Sequence, residues 1–122
     1  MTIRLDHTII PARDKAASAA FFAGIFALPV ATSGPFAAVA VNETLTLDFA
    51  DREQIEPHHL AFRVSKAEFA AIFARIEAAG VPYSADPQHS AVGQVYQRDG
   101  DRGFYFHDPS GHNLEVLTCL SV

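Results

Sequence analysis

With 122 residues, 49% of them apolar and 19% charged, the chain has the length of one domain and enough apolar material for a core, which excludes a disordered polypeptide. Its net charge of -5 is spread without a basic run or a basic helix face, which argues against nucleic acid or an anionic membrane as a partner. No apolar stretch approaches the roughly 20 residues of a membrane span, Met1–His7 has no signal-peptide core, and the single cysteine, Cys119, excludes an internal disulfide, so a cytoplasmic protein is expected.

Ile3 to Ile10 alternates loosely and reads as a strand that Pro11 ends, with Ile3, Leu5, His7 and Ile9 on one face. Asp14 is placed to cap a helix over Lys15–Phe26, an Ala-rich run with Phe21, Phe22, Ile25 and Phe26 at helical spacing. Ser33-Gly34-Pro35 is a turn, Phe36–Val41 an apolar strand and Asn42-Glu43 a hairpin turn. Thr44 to Phe49 alternates cleanly: Leu45, Leu47 and Phe49 face one way, Thr44, Thr46 and Asp48 the other.

His59 to Val64 is the next strand, with Leu60, Phe62 and Val64 on one face and His59, Ala61 and Arg63 on the other. Ser65 and Glu68 form a capping box for a helix whose core stripe is Phe69, Ile72, Phe73 and Ile76, and Gly80 ends it. Ser84 to Gly100 is polar and irregular, with one short strand near Gln94–Arg98, and reads as a mobile loop over a site. Two strands then flank Asp108-Pro109-Ser110-Gly111, which is turn chemistry. Cys119 reads as a small residue of the last strand.

The order is strand, helix, strands, stated twice. His7 to Leu28-Pro29 lines up on His59 to Val81-Pro82 at a shift of about 52, so that Phe21 falls on Phe73 and the two proline pairs fall within one residue of each other. A repeat of this kind implies two similar modules, near residues 1–50 and 58–122, within one α+β domain of residues 1–122. Strand parity collects the residues opposite the helices: His7, Ile9, Thr44, Thr46, Asp48, His59, Ala61, Arg63, Gly103, Tyr105, His107, Asn113, Glu115 and Leu117. This set is far more polar than the helix-facing one. His7 and His59 occupy equivalent places in the repeat, and Glu115 is a carboxylate within an apolar strand. Two imidazoles and a carboxylate with open positions suit a catalytic divalent metal.

Leu5-Asp6-His7, His59-Leu60-Ala61-Phe62 and Tyr105-Phe106-His107-Asp108-Pro109-Ser110-Gly111-His112-Asn113-Leu114-Glu115 resemble the three landmarks of the vicinal oxygen chelate superfamily. That family includes glyoxalase I, fosfomycin- and bleomycin-resistance proteins, methylmalonyl-CoA epimerase and extradiol dioxygenases. The resemblance implies two tandem βαβββ modules forming a metal-holding cup completed by homodimerisation. Carried over, the metal ligands are His7, His59 and Glu115, with His58 the competing choice for the second and His7 expected from the partner subunit. The fourth ligand of glyoxalase I, a Glu, falls at Thr46, with Asp48 two residues later on the same face. Tyr105 matches a substrate-contacting tyrosine of the fosfomycin enzymes and is the catalytic candidate; Arg63, Thr46 and Tyr105 are the substrate-binding ones. Ile9 stands where those enzymes have a threonine, and their basic C-terminal extension has no counterpart.

The resemblance therefore implies one divalent ion (Fe, Mn, Zn, Ni or Co) and a small substrate that chelates it through neighbouring oxygens, with dioxygenase, lyase, isomerase or thiol-transferase chemistry. The alternative is a metal-free drug-sequestering protein of the bleomycin-resistance type. Arg63 reads equally as a substrate anchor and as half of an ion pair with Asp48. His107 and His112 read as turn or supporting residues, Asp108 and Gly111 as turn formers, and His89 has no assigned role.

Overall fold

The computed structural model describes residues 2–118, so Cys119 lies outside the described residues. The chain forms two compact units, Met1–Glu56 and Pro57–Val122. Unit 1 contains β1 (His7–Ala12), α1 (Lys15–Phe26), β2 (Val30–Ser33), β3 (Phe36–Ala40) and β4 (Thr46–Asp51). Unit 2 contains β5 (His59–Val64), α2 (Lys66–Ala78), β6 (Tyr96–Arg98), β7 (Asp101–His107) and β8 (Asn113–Thr118). Each is a βαβββ module with a four-stranded mixed sheet, ordered β1-β4-β3-β2 in one and β5-β8-β7-β6 in the other. The first strand of each module runs parallel to its last, and the other pairings are antiparallel. The internal repeat is therefore real at the level of topology.

In unit 1, Asp14 Oδ1 accepts from Ala17 N (3.1 Å) and caps α1, and Asp51 Oδ1 takes the Lys15 amide at 2.8 Å. These bonds satisfy amides that the first turn leaves without intrahelical partners. Ala27 ends α1 in the left-handed region, at φ 57°. The module core is Phe22, Ala19, Ile10, Val39, Leu47 and Phe49, all essentially inaccessible. In unit 2 the Ser65–Glu68 capping box is complete, with Ser65 N donating to Glu68 Oε1 (2.9 Å) and Glu68 N to Ser65 Oγ (3.1 Å). Its core joins Phe69, Ile72 and Ile76 of α2 to Phe104, Phe106, Leu114 and Val116 of the sheet. Each such side chain stabilises the fold by roughly 1.5–3 kcal/mol through burial. Among the described residues no helix is long and apolar enough to cross a membrane.

Several local expectations are corrected. The first strand begins at His7 and runs through Pro11 to Ala12. Pro11 is tolerated because β1 is the edge strand of its sheet, where a residue that has no N–H to donate can be accommodated. Val30–Ser33 is a strand that the sequence did not announce; all four residues are exposed, and edge pairing to β3 makes it a strand. Thr44 belongs to the turn before β4 rather than to the strand. Asn42 Oδ1 accepts from the amides of Thr44 and Leu45, each at 2.9 Å, and widens the turn beyond the two residues expected. The stretch from Ser84 is tied down. Ser84 and Tyr105 exchange backbone hydrogen bonds at 3.0 and 2.8 Å, and the Asp86 carboxylate holds the amides of Ser90 and Ala91.

Candidate metal centre

Strand register places the side chains. In unit 2, His59 pairs with Asn113 and Ala61 with Glu115, while β7 sets Tyr105 opposite Glu115 and His107 opposite Asn113. Alternation then turns His59, Arg63, Tyr105, His107, Asn113 and Glu115 away from α2, as strand parity implies. The His59 Nε2–Glu115 Oε1 distance is 3.2 Å; the imidazole is half exposed and the carboxylate nearly covered. His59 Nδ1 lies 3.0 Å from the carbonyl oxygen of Asn113. A carbonyl only accepts, so Nδ1 carries the hydrogen and Nε2 of the neutral ring presents a lone pair to the carboxylate. Two acceptors at that distance repel unless a proton or a cation lies between them. This donor set fits a divalent ion, and the Asn113 carbonyl orients the ring as the partner of a metal-bound imidazole does.

His7 is built the same way in unit 1. Asp6 Oδ2 accepts from Nδ1 at 2.7 Å, which leaves Nε2 with the lone pair and raises the pKa of the ring. His58, the competing ligand candidate, donates its backbone amide to His112 Nδ1 (2.9 Å), and its ring stands edge-on to that of His112. Among the described residues no three His, Cys, Asp or Glu side chains gather within metal-binding distance.

Register also revises the position of the fourth carboxylate. His7 pairs with Thr46 and Ile9 with Asp48 in the parallel β1–β4 ladder. In the corresponding β5–β8 ladder His59 pairs with Asn113 and Ala61 with Glu115. The counterpart of Glu115 in the first module is therefore Asp48, and Thr46 is the counterpart of Asn113. The sequence alone misplaces this because the stretches from helix to last strand differ in length between the modules, so a fixed shift does not carry across them.

Glu115 has a second partner that parity of the recognised strands does not reveal. Tyr96 Oη donates to Glu115 Oε2 at 2.6 Å. Burial first, and then this bond, push the Tyr96 phenol far above its ordinary pKa. Tyr105 is also raised, by burial first and by the charge of and hydrogen bond to Glu115, with Arg98 acting in the opposite direction. The Tyr105 ring stacks on His59 at 5.8 Å, and the Arg98 guanidinium lies 5.0 Å over Tyr96. Arg63 is engaged elsewhere: Nη1 lies 3.2 Å from the Thr118 carbonyl and 3.4 Å from Asp101 Oδ2. Its ion-pair partner is thus Asp101, at the start of β7 in the same module, rather than Asp48.

His107 and His89 stack at 3.9 Å, and burial followed by His89 lowers the His107 pKa. Asn113 Nδ2 donates to the Pro87 carbonyl (3.0 Å), so its Oδ1 accepts from His89 Nε2 (2.8 Å). His89, without a role in the sequence, thereby ties the loop to the residue whose carbonyl orients His59. Asp108 and Gly111 are turn formers as expected: Asp108 Oδ1 accepts from the amides of Ser110 and His112, and Gly111 has φ 90°.

Residues 4–116 match the family model of the Glyoxalase/Bleomycin resistance protein/Dioxygenase superfamily. The chain belongs to this superfamily. Among solved structures, "Oxidase ChaP-H2" is 50% identical with a TM-score of 0.93, covering 98% of this chain and 95% of that one. "Oxidase ChaP-H1" is 42% identical with a TM-score of 0.93, covering 98% of each chain. The fosfomycin resistance protein FosX from Mesorhizobium loti, at 19% identity and a TM-score of 0.73 over 99% of this chain and 97% of that one, shares the superfamily fold. No curated protein matches the chain significantly.

Proposed function

We propose that this superfamily member is a divalent-metal-dependent oxidase or oxygenase acting on a small molecule that chelates the metal through neighbouring oxygens. The observation that carries the metal reading is the approach of His59 Nε2 to Glu115 Oε1 at 3.2 Å, with the other ring nitrogen held by the Asn113 carbonyl. The preference for oxidation over lyase or thiol-transfer chemistry rests on the two oxidases at 50% and 42% identity. His59, Glu115 and a first-module His7 would hold the ion, with Asp48 available as a further carboxylate beside His7. The metal would supply Lewis acidity toward the substrate oxygens and a route for electrons to dioxygen.

The chain's own groups bind and orient the substrate. Tyr105 offers a phenolic hydrogen bond to a substrate oxygen and a ring to stack on; Thr46 contributes a hydroxyl on the first-module side. Arg63, held by Asp101 and the Thr118 carbonyl, serves the sheet. The chain works as a homodimer, the assembly that the superfamily resemblance implies, in the cytoplasm.

The test is metal content by mass spectrometry on protein purified without chelator or affinity-tag metal, for wild type and Glu115→Ala. Near one equivalent of a transition metal per chain, lost in the variant, supports the reading, and iron directs it to dioxygen. A wild type that takes up no metal even after reconstitution near neutral pH overturns it in favour of a sequestering protein.

A further inference from the structure

We infer that Tyr96 is a positioning residue that restricts Glu115 to one ligating oxygen, and that Gly103 exists to let it do so. The inference rests on the metal reading above. The Glu115 carboxylate has two oxygens with distinct surroundings. Oε1 faces His59 Nε2, and Oε2 accepts the short, charge-assisted bond from Tyr96 Oη at 2.6 Å. A carboxylate fixed in this way offers Oε1 and withholds Oε2, so it ligates through a single oxygen and leaves one more position at the metal for substrate.

The backbone makes room for this bond. Tyr96 pairs with Gly103 across the β6–β7 ladder. A Cβ built on Gly103 would overlap Tyr96 Cζ and Tyr96 Oη, lying closer than real Cβ contacts come. The Tyr96 ring therefore lies flat across the one position of β7 that carries no side chain, and reaches over it to Glu115. Any larger residue at position 103 displaces the phenol from the carboxylate. Nothing in the turn geometry requires this glycine, since it lies within a strand; the ring explains it. Arg98, 5.0 Å above the same ring, further restrains it.

The test uses the full chain with Co2+ alone as the probe, in wild type, Tyr96→Phe, Gly103→Ala and the double variant. Tyr96→Phe keeps the ring over Gly103 and removes only the hydroxyl. Each single substitution is expected to weaken Co2+ affinity by about 10–100-fold, and the double variant no more than the weaker-binding single variant, because both remove the same bond. The visible spectrum supplies a readout that a merely structural role does not move: release of Oε2 raises the coordination number and lowers the intensity of the Co2+ bands. Equal affinity and an identical spectrum in wild type and Tyr96→Phe overturn the inference and leave the metal reading standing. A wild type that binds no Co2+ overturns both.

Discussion

His112 offers a quantitative test of how the turn positions the strand that carries His59. Its imidazole is wholly buried, and Nδ1 accepts the backbone amide of His58, the residue before His59. Replacement by alanine removes that acceptor, at about 1–2 kcal/mol for a partly buried donor left unpaired. It also leaves a cavity, at about 2–3 kcal/mol for a buried side chain of this size. The expected loss is about 3–5 kcal/mol, a large share of the roughly 5–15 kcal/mol that a domain has. Asparagine places Oδ1 near the position of Nδ1 and restores the acceptor, so His112→Asn should lose about 1–2 kcal/mol less than His112→Ala. Urea unfolding of the metal-free protein at neutral pH, with m unchanged, measures the difference. Hydrogen exchange at the His58 amide should rise in the alanine variant and recover in the asparagine one. Equal losses in the two variants, or an alanine variant within about 1 kcal/mol of wild type, would refute the reasoning.

Other outcomes follow from single contacts. Phe104 is inaccessible and packs against Phe69 and Phe73, each at 5.4 Å, and Tyr83 at 5.8 Å. Phe104→Ala is expected to lower unfolding free energy by about 3–5 kcal/mol, and a urea-measured loss below about 2 kcal/mol would contradict the packing. Glu68 has its pKa lowered, first by the backbone hydrogen bond of Ser65 and then by its hydroxyl. Its stabilisation is therefore present above the ordinary carboxylate pKa and is lost as pH falls through the depressed folded value. Glu68→Gln preserves the acceptor of the capping box and should flatten this part of the acid limb in a pH series of urea midpoints. An unchanged limb would deny the carboxylate that role. For His107, burial and then His89 favour the neutral ring, so its contribution is present above the ordinary histidine pKa and is lost as pH falls through the depressed value. NMR titration should find His107 below the ordinary value and closer to it in His89→Ala; no movement would mean that His89 exerts no such effect.

The helices and their faces were legible because their signals are local. Asp14, Ser65 and Glu68 cap where sequence spacing places them, and period-two alternation turns Glu115 and Tyr105 to the face opposite α2 while Phe104, Phe106, Leu114 and Val116 enter the core. The Asp108–Gly111 turn was legible for the same reason, since its hydrogen bonds close within five residues. Pro11 misled because a proline's meaning depends on whether its strand is an edge, and that depends on which strands pair.

Pairing is also what only the tertiary structure decided. Register across strands far apart in the chain makes Asp48, not Thr46, the counterpart of Glu115. It sets Arg63 against Asp101 and the Thr118 carbonyl. It also lays Tyr96, from the short strand expected near Gln94–Arg98, over Gly103 and onto Glu115. The sequence determined which side chains each strand turns toward a site, because alternation is a property of one strand. Which of them meet, and through which atom, depended on registers fixed by loops whose lengths differ between the two modules, and no local pattern encodes that.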